Sequence, residues 1–446
     1  MFKGTEYIRN LFIIREEQNL KDIHVLCINY NIRSDLRKAL SSLNYILPRV
    51  NKGTVFDSHY PYLSSSDSSL PFDIDYIDAR QDLGITLNTY IQAIESEYVL
   101  FLFTYELLTS AVNGTTLTLK DDKPIMTVYR EGKELYYQFP FMVKTSFLKD
   151  SPFLLEREVP FREIIFHLWL LKNGESNVVT LKENVIEEIR KISNITTKEK
   201  LSFAYKLKRS SPGSILSAPT LSVMISNFNM EKFLSTAIQS CITQTVPFDQ
   251  IVIVDDGSID NSSKLLEKWK THPNIQCFFK SNEGKAKALN YILPFITSDF
   301  VLELDADDWL DPDAVFLIKS HLENLPSHIS VLYGNWRYWN QSSIGEIEFL
   351  KIRQGKTINN REELLSYPFP LGPRIYRTSA LLEGEGFPII DFEEGRLYED
   401  VAILFQLFKK HKFLYENFTV YNVRKHDNSI TKKNHSKWND FRKFLT

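Results

Sequence analysis

Asp299-Phe300-Val301-Leu302-Glu303-Leu304-Asp305-Ala306-Asp307-Asp308-Trp309-Leu310 decides how the rest of the chain is read. The apolar run reads as a short buried strand. It ends abruptly in three carboxylates, Asp305, Asp307 and Asp308. In open α/β sheets the ends of strands face the ligand crevice. Carboxylates crowded there repel one another unless a cation joins them. Oxygen ligation of this kind suits Mg²⁺ or Mn²⁺ shared with substrate phosphates. Asp311-Pro312 reads separately, as the cap of the following helix with proline at its first position.

The surrounding sequence repeats this pattern. Ile23-His24-Val25-Leu26-Cys27-Ile28-Asn29 and Leu221-Ser222-Val223-Met224-Ile225-Ser226-Asn227 both read as strands leading into helices. Overlaid without gaps, Asn29 meets Asn227, Asn31 meets Asn229, Leu36 meets Leu234, Ala39 meets Ala237 and Ser42 meets Ser240. Tyr98–Leu102 parallels Phe300–Leu304, and Lys144-Thr145-Ser146 parallels Arg377-Thr378-Ser379. Three matches in order predict a duplicated fold. The copies differ where chemistry would sit. Opposite Asp305-Ala306-Asp307-Asp308 the first has Phe103-Thr104-Tyr105-Glu106. Opposite Val254-Asp255-Asp256-Gly257-Ser258 it has no acidic strand end, and 53–71 read as a loose loop.

The expected organisation is α/β: two Rossmann-like domains in tandem, each with a mostly parallel sheet. The first covers 1–197 and is non-catalytic, with a short amphipathic helix over its first 20 residues. A basic, Ser/Pro/Gly-rich linker covers 198–219, and the second domain covers 220–446. Within the second, 220–333 alternate strand and helix, and 334–446 begin with aromatic, irregular text at Asn335-Trp336-Arg337-Tyr338-Trp339. The helices are expected near Glu231–Cys241, Ser262–Trp269, Lys285–Ile292, Pro312–Glu323 and Glu399–Lys410.

The chain has 446 residues, 43% hydrophobic and 24% charged, as expected for a globular protein of two or three domains. A net charge of −3 gives no field that would draw it to nucleic acid. Cys27, Cys241 and Cys277 show no metal spacing and read as reduced thiols, which fits a cytoplasmic location. The N-terminal text mixes both charge signs and lacks a long apolar core, so no secretory signal is expected. No apolar run is long enough to span a bilayer, so the expected contact with a membrane is peripheral.

Three polar clusters end strands of the second copy: Ser226-Asn227-Phe228-Asn229, Asp255-Asp256-Gly257-Ser258 and the acidic stretch above. Phe228 could stack on a base, and Asp256 could accept from a base N–H. Asn282-Glu283-Gly284-Lys285-Ala286-Lys287-Ala288-Leu289-Asn290 opens a helix after a strand, where N–H groups favour a phosphate or ribose. Neither a dinucleotide fingerprint nor a P-loop is present.

In order and spacing over roughly 220–430, these motifs resemble family 2 glycosyltransferases of the GT-A fold. The resemblance implies two tandem GT-A-like domains, the first degenerate, and the second an inverting enzyme that uses a nucleotide-sugar, UDP-sugar favoured, and Mn²⁺ or Mg²⁺. It makes 220–333 the nucleotide-sugar-binding half and 334–446 the acceptor-binding half, and places Phe228, Asn229, Asp255, Asp256, Asn282, Lys285, Lys287, Asn290 and Asp305 at the donor, and Asp305, Asp307 and His426 at the metal. Leu397-Tyr398-Glu399-Asp400-Val401 matches the family's acidic pair, with Asp400 as general base. The first copy has Phe161-Arg162-Glu163 there. The acceptor class stays open among glycan, lipid-linked and protein hydroxyls, in bacterial surface glycan or glycoconjugate synthesis. The first copy's role stays open among acceptor binding, homodimerisation and bracing. Two rivals remain: a carbohydrate-binding scaffold without turnover, and a metal-dependent nucleotidyltransferase.

Overall fold

The structure is a computed structural model that describes residues 20–30, 32–57, 70–79, 82–112, 116–129, 138–155, 159–174, 176–189, 194–208, 219–342, 345–366, 371–393, 396–426 and 437–445. The expected N-terminal helix, Asn31 and the Ser/Pro/Gly run of the expected linker lie outside these residues. The chain forms two compact units, Met1–Ala204 and Tyr205–Thr446. A helix, Asn194–Lys208, occupies the first part of the expected linker. Thr197, Leu201 and Ala204 fall at i, i+4 and i+7 and are buried, a stripe interrupted in the sequence by Lys198, Glu199 and Lys200.

Among the described residues, the first unit holds a seven-stranded sheet in the order Asp73–Asp78, Val50–Asp57, Ile23–Ile28, Tyr98–Phe103, Met142–Lys144, Ile125–Val128, Val178–Leu181. The second unit's larger sheet runs Ile275–Lys280, Gln250–Asp256, Leu221–Asn227, Phe300–Asp305, Ile375–Arg377, Ile329–Gln341, Lys412–Lys425, Trp309–Leu310, with Ile347–Arg353 paired to Ile329–Gln341. The first four strands of each are mutually parallel and the fifth is antiparallel. The central strands Ile23–Ile28, Tyr98–Phe103, Leu221–Asn227 and Phe300–Asp305 are buried at nearly every position because both their faces are covered. Val223, Ile225, Leu302 and Leu304 enter one core, and Met224, Val301, Ala286, Leu289, Tyr376 and Ile403 the other.

The two sheets agree residue by residue. Ile28 pairs with Phe103, and Ser226 pairs with Asp305, so Phe103 holds the place of Asp305. Ser42 Oγ donates to the Ala39 carbonyl at 2.6 Å and accepts from Leu108 N–H at 3.0 Å. Ser240 Oγ makes the same pair of bonds, to Ala237 at 2.7 Å and from Leu310 at 3.1 Å. Each serine ties its helix to the backbone just past the strand end. Ser240→Ala leaves the buried Leu310 N–H without an acceptor. We expect a loss of about 1–3 kcal/mol in urea unfolding, and a loss within error would remove this tie from the account.

Three expectations fail here. Ile28 also pairs with Phe56, as Ser226 does with Val254, so strand Val50–Asp57 ends in an acid after all: Asp57 holds the place of Asp255. Of the expected loop, 53–57 are therefore strand and 58–69 lie outside the described residues. Asn335–Trp339 is also strand rather than irregular. Its aromatic alternation is matched by Ile347–Arg353 on one side and Lys412–Lys425 on the other. Finally, Asp311 does not cap a helix through its side chain. The helix is Ala314–Leu322, and the buried Asp311 carboxylate receives Arg337 at 2.8 Å, Lys206 at 2.7 Å and Asn422 at 2.8 Å.

Candidate active site

The second unit's strand ends bring most of the sequence-derived residues to one edge, where they divide into three groups. The first group builds the rim. Asp255 is buried; its Oδ1 accepts from Asn227 at 2.7 Å and Ser258 at 2.5 Å, and its Oδ2 from Ser263 at 2.7 Å. Asp256 accepts the backbone N–H of Glu283 at 3.0 Å and Gly284 at 2.8 Å, and Lys280 Nζ at 3.0 Å. Gly284 has φ 95°, a left-handed turn into helix Lys285–Ile292 that favours glycine. Gly257, at φ 73°, lets Asn282 come close: a Cβ there would stand 2.6 Å from the Asn282 nitrogen. Asn229, also left-handed at φ 55°, accepts Ile259 N–H at 2.8 Å and donates its own N–H to Ser258 at 2.9 Å. Asn282 donates to the Asp256 carbonyl at 2.9 Å and accepts from Arg396 at 2.7 Å. Asn290 clamps both backbone groups of Phe387 at 2.7 Å.

The bonds of Asp255, Asp256, Asn229 and Asn290 thus go to neighbouring loops. Sequence reasoning placed these residues at the donor; the structure gives each a loop-holding contact. Phe228, beside them, is 43% exposed and offers a ring face at the rim. Lys287 is exposed and pairs with Glu283 at 3.6 Å on the outer face of its helix.

The second group is a charge network that the sequence reading did not find. Glu303 is buried within its strand. It receives Arg374 through Nε at 2.9 Å and Nη2 at 3.0 Å, Tyr376 Oη at 3.0 Å and Lys285 Nζ at 2.8 Å. Lys285 also meets Asp305 at 2.5 Å and Glu399 at 3.5 Å. Burial opposes the Lys285 charge, yet Asp305, Glu303 and Glu399 hold its ammonium well above the ordinary lysine range. Burial likewise opposes the Glu303 charge, yet Arg374 and Lys285 hold that carboxyl well below the usual range. The network ends at Asp400, whose Oδ2 lies 3.5 Å from Arg374 Nη1. Its Oδ1 accepts Val401 N–H at 2.9 Å, at the start of helix Glu399–Leu407. One signal pointed here: a lone glutamate in a strand covered on both faces needs a buried partner.

Burial first, then Asp400, raises Glu399 from 4.5 to about 7, against the pull of Lys285. A carboxyl raised on folding binds its proton more tightly in the folded chain. Its contribution is therefore full below about 4.5 and is lost as pH rises through about 7. Glu399→Gln should flatten the fall in stability over this window. Thermal melts of both chains from pH 4.5 to 8 test it, and parallel curves would count against it.

The third group carries the terminal carboxylates. Asp307 Oδ2 lies 3.0 Å from His426 Nε2, whose ring packs on Phe233 at 4.8 Å between centroids. Two donors on adjacent corners of an octahedron with bonds of about 2.1 Å stand about 3 Å apart, so this pair fits one edge of a Mg²⁺ or Mn²⁺ sphere. Among the described residues no three His, Cys, Asp or Glu side chains form a metal-holding group. Burial, Asp307 and Asp305 push the Asp308 carboxyl well up, a repulsion that a cation relieves. Asp308 also accepts Arg424 N–H at 2.7 Å. Tyr421 Oη accepts Asp305 N–H at 2.9 Å, a further contact absent from the sequence reading. Segment 427–431 lies outside the described residues.

Residues 222–383 match the family model described as Glycosyl transferase family 2. An uncharacterized glycosyltransferase of Nostoc sp. is 30% identical over 220 residues, covering 47% of this chain and 67% of the relative. The chain belongs to glycosyltransferase family 2. Chondroitin synthase of Escherichia coli is 30% identical over 129 residues, 28% of this chain and 19% of that longer protein. Among solved structures, S. aureus TarS in complex with UDP-GlcNAc is 21% identical with a TM-score of 0.37, covering 48% of this chain and 60% of that one. Among the described residues no helix is long and apolar enough to cross a membrane.

Proposed function

We propose that the second unit of this family 2 glycosyltransferase is an inverting, metal-dependent enzyme that moves a sugar from a nucleotide-sugar to an acceptor hydroxyl in the synthesis of a bacterial surface glycan. One observation carries the reading. Asp400 has one carboxylate oxygen fixed by a backbone N–H and the other only loosely approached by Arg374. It stands at the end of a network that also holds Asp305, at the same sheet edge as Asp307 and His426. The base and the carboxylates that face the donor are therefore fixed relative to each other through Glu303, Arg374 and Lys285.

In the proposed reaction Asp400 takes the proton of the acceptor hydroxyl. The acceptor oxygen bonds to the anomeric carbon from the face opposite the leaving group. The bond from that carbon to the diphosphate breaks, and the nucleoside diphosphate departs with the electron pair. Phe228 stacks on the base. Asp307 and His426, with Asp305 nearby, would hold the divalent cation, which supplies charge stabilisation to the departing diphosphate. The Lys285 ammonium, beside Asp305, adds positive charge on that side.

The relative named chondroitin synthase supports this reading, since its name is that of a polysaccharide-forming enzyme. Products from a panel of UDP-, GDP- and CMP-sugars with Mn²⁺ or Mg²⁺ would decide it. We expect transfer from one donor, lost with EDTA and restored by either cation. Full activity in EDTA removes the metal from the proposal, pyrophosphate as product replaces it with nucleotidyl transfer, and binding without turnover leaves the scaffold reading.

A further inference from the structure

The outer sheet of the second unit carries a cationic surface that the reaction above does not use. Trp336 and Tyr338 alternate along strand Ile329–Gln341 and share a face. Arg353 and Lys351 stand opposite them on strand Ile347–Arg353, and Tyr421 and Val423 on strand Lys412–Lys425. The Arg353 guanidinium lies 5.3 Å from the Tyr338 ring centre, and Lys425 Nζ lies 5.2 Å from the same ring. Arg353 and Lys351 both act electrostatically on Lys425. Three cations therefore surround one tyrosine. Glu348, opposite Asn340, is the nearby acid on this edge strand. Among the described residues neither Lys351 nor Lys425 forms an ion pair with it or with another carboxylate. The whole chain has a net charge of only −3, so this patch is local rather than a share of a basic surface.

The patch is continuous with the site. Tyr421 packs edge-on against Trp336 at 4.6 Å, and the same Tyr421 accepts the N–H of Asp305. The Arg374 guanidinium, which touches Asp400, is 6.0 Å from the Trp336 ring. The charges of Asp308 and Arg374 both reach Tyr338. From Tyr421 to Lys425 is four residues of strand, about 13 Å, so the cations lie within the length of a short oligomer from the residue that contacts Asp305.

We propose that this face binds the acceptor and selects one that is anionic, with a phosphate or carboxylate of the acceptor held by Lys351, Arg353 and Lys425 over Tyr338. The proposal rests on the glycosyltransferase reading, because it takes the reacting hydroxyl to lie at Asp400. Trp336 and Tyr338 are buried beneath this face, so what it offers a ligand is charge: Lys351 and Lys425 are exposed and Arg353 half-buried, and three cations around one ring fit an oxyanion.

Three probes of matched length separate the sources of charge: an oligogalacturonate, an oligo(glycerol phosphate) and a neutral cello-oligosaccharide. Binding is read from tryptophan fluorescence at low and high salt, on the full chain. Either anionic probe should bind at least tenfold tighter than the neutral one at low salt, and the tighter of the two names the group. Lys351→Gln/Arg353→Gln should reduce that preference roughly tenfold and leave donor hydrolysis unchanged. Lys351→Glu, a single surface change, should do so in the same direction. Equal binding of all three probes, or an unchanged preference in both variants, overturns the proposal. Donor turnover without an anionic preference sinks this inference alone. An anionic preference without donor turnover sinks the enzymatic reading and leaves the patch as an anion-binding surface.

Discussion

Asp400→Asn should lower sugar transfer by about 10²–10⁴-fold while leaving donor affinity within about twofold. The asparagine carbonyl can still accept the Val401 N–H, so the helix start keeps its bond. What it loses is the second carboxylate oxygen, which in the proposed reaction takes the acceptor's proton. The loss therefore falls on the chemical step, in kcat rather than in donor Kd. Initial rates with saturating donor, together with donor titration, separate the two. Transfer at the wild-type rate would remove Asp400 from its role, and an equal loss of donor binding would make it a structural residue.

The second large effect is on stability. Arg374 is buried and bidentate to Glu303, which also receives Lys285 and Tyr376. Taking one partner from a buried ion pair leaves the other charged and unpaired, at about 3–5 kcal/mol. Arg374→Met should lose that much in denaturant unfolding. Glu303→Met/Arg374→Met should be less destabilised than the sum of the two single changes, because no buried charge is left over. It should also be inactive, since Lys285, Asp305 and Asp400 lose the groups that fix them. A single change costing under about 1 kcal/mol, or a fully additive double, would show that the network is not a unit.

The first unit offers a natural comparison. Glu303 N–H donates to the Arg374 carbonyl, and Phe101 N–H donates to the Phe141 carbonyl, in the same register. Phe101 and Phe141 therefore hold the places of Glu303 and Arg374, as Phe103 holds that of Asp305. Phe101 and Phe103 pack with Phe139, Phe153 and Phe166. The same strand thus closes with charges in one unit and with aromatic rings in the other.

This comparison also marks what the sequence could and could not tell. Strand and helix positions were legible because burial on both faces writes continuous apolar runs, and because Ser42 and Ser240 recur at matching places. Helices Ser262–Trp269 and Lys285–Ile292 fall where the pattern put them. The site was legible as a set of strand ends but not as a set of partners. Asp256 meets Gly284 across 28 residues, and Asn290 meets Phe387 across 97. No local pattern records such pairings. Nor does a local pattern record the partners of Glu303, a lone acid inside Phe300–Asp305 whose contacts Arg374 and Tyr376 lie 71 and 73 residues further on. Tyr421 meets Asp305 across 116 residues, another pairing of the same kind. Trp336 and Tyr338 were read as irregular because their strand partners lie on separate segments, Ile347–Arg353 and Lys412–Lys425.

The paired exchange of Glu303 and Arg374 for Phe101 and Phe141 also constrains history. Both end states are internally consistent, one fully charged and one fully apolar. Each intermediate leaves a buried charge beside a ring, so a chain changing one position at a time must descend through a valley several kcal/mol deep. The valley stands in both directions, so each unit's strand end is held in its own state, charged at Glu303 and Arg374 or aromatic at Phe101 and Phe141, against change at one position at a time.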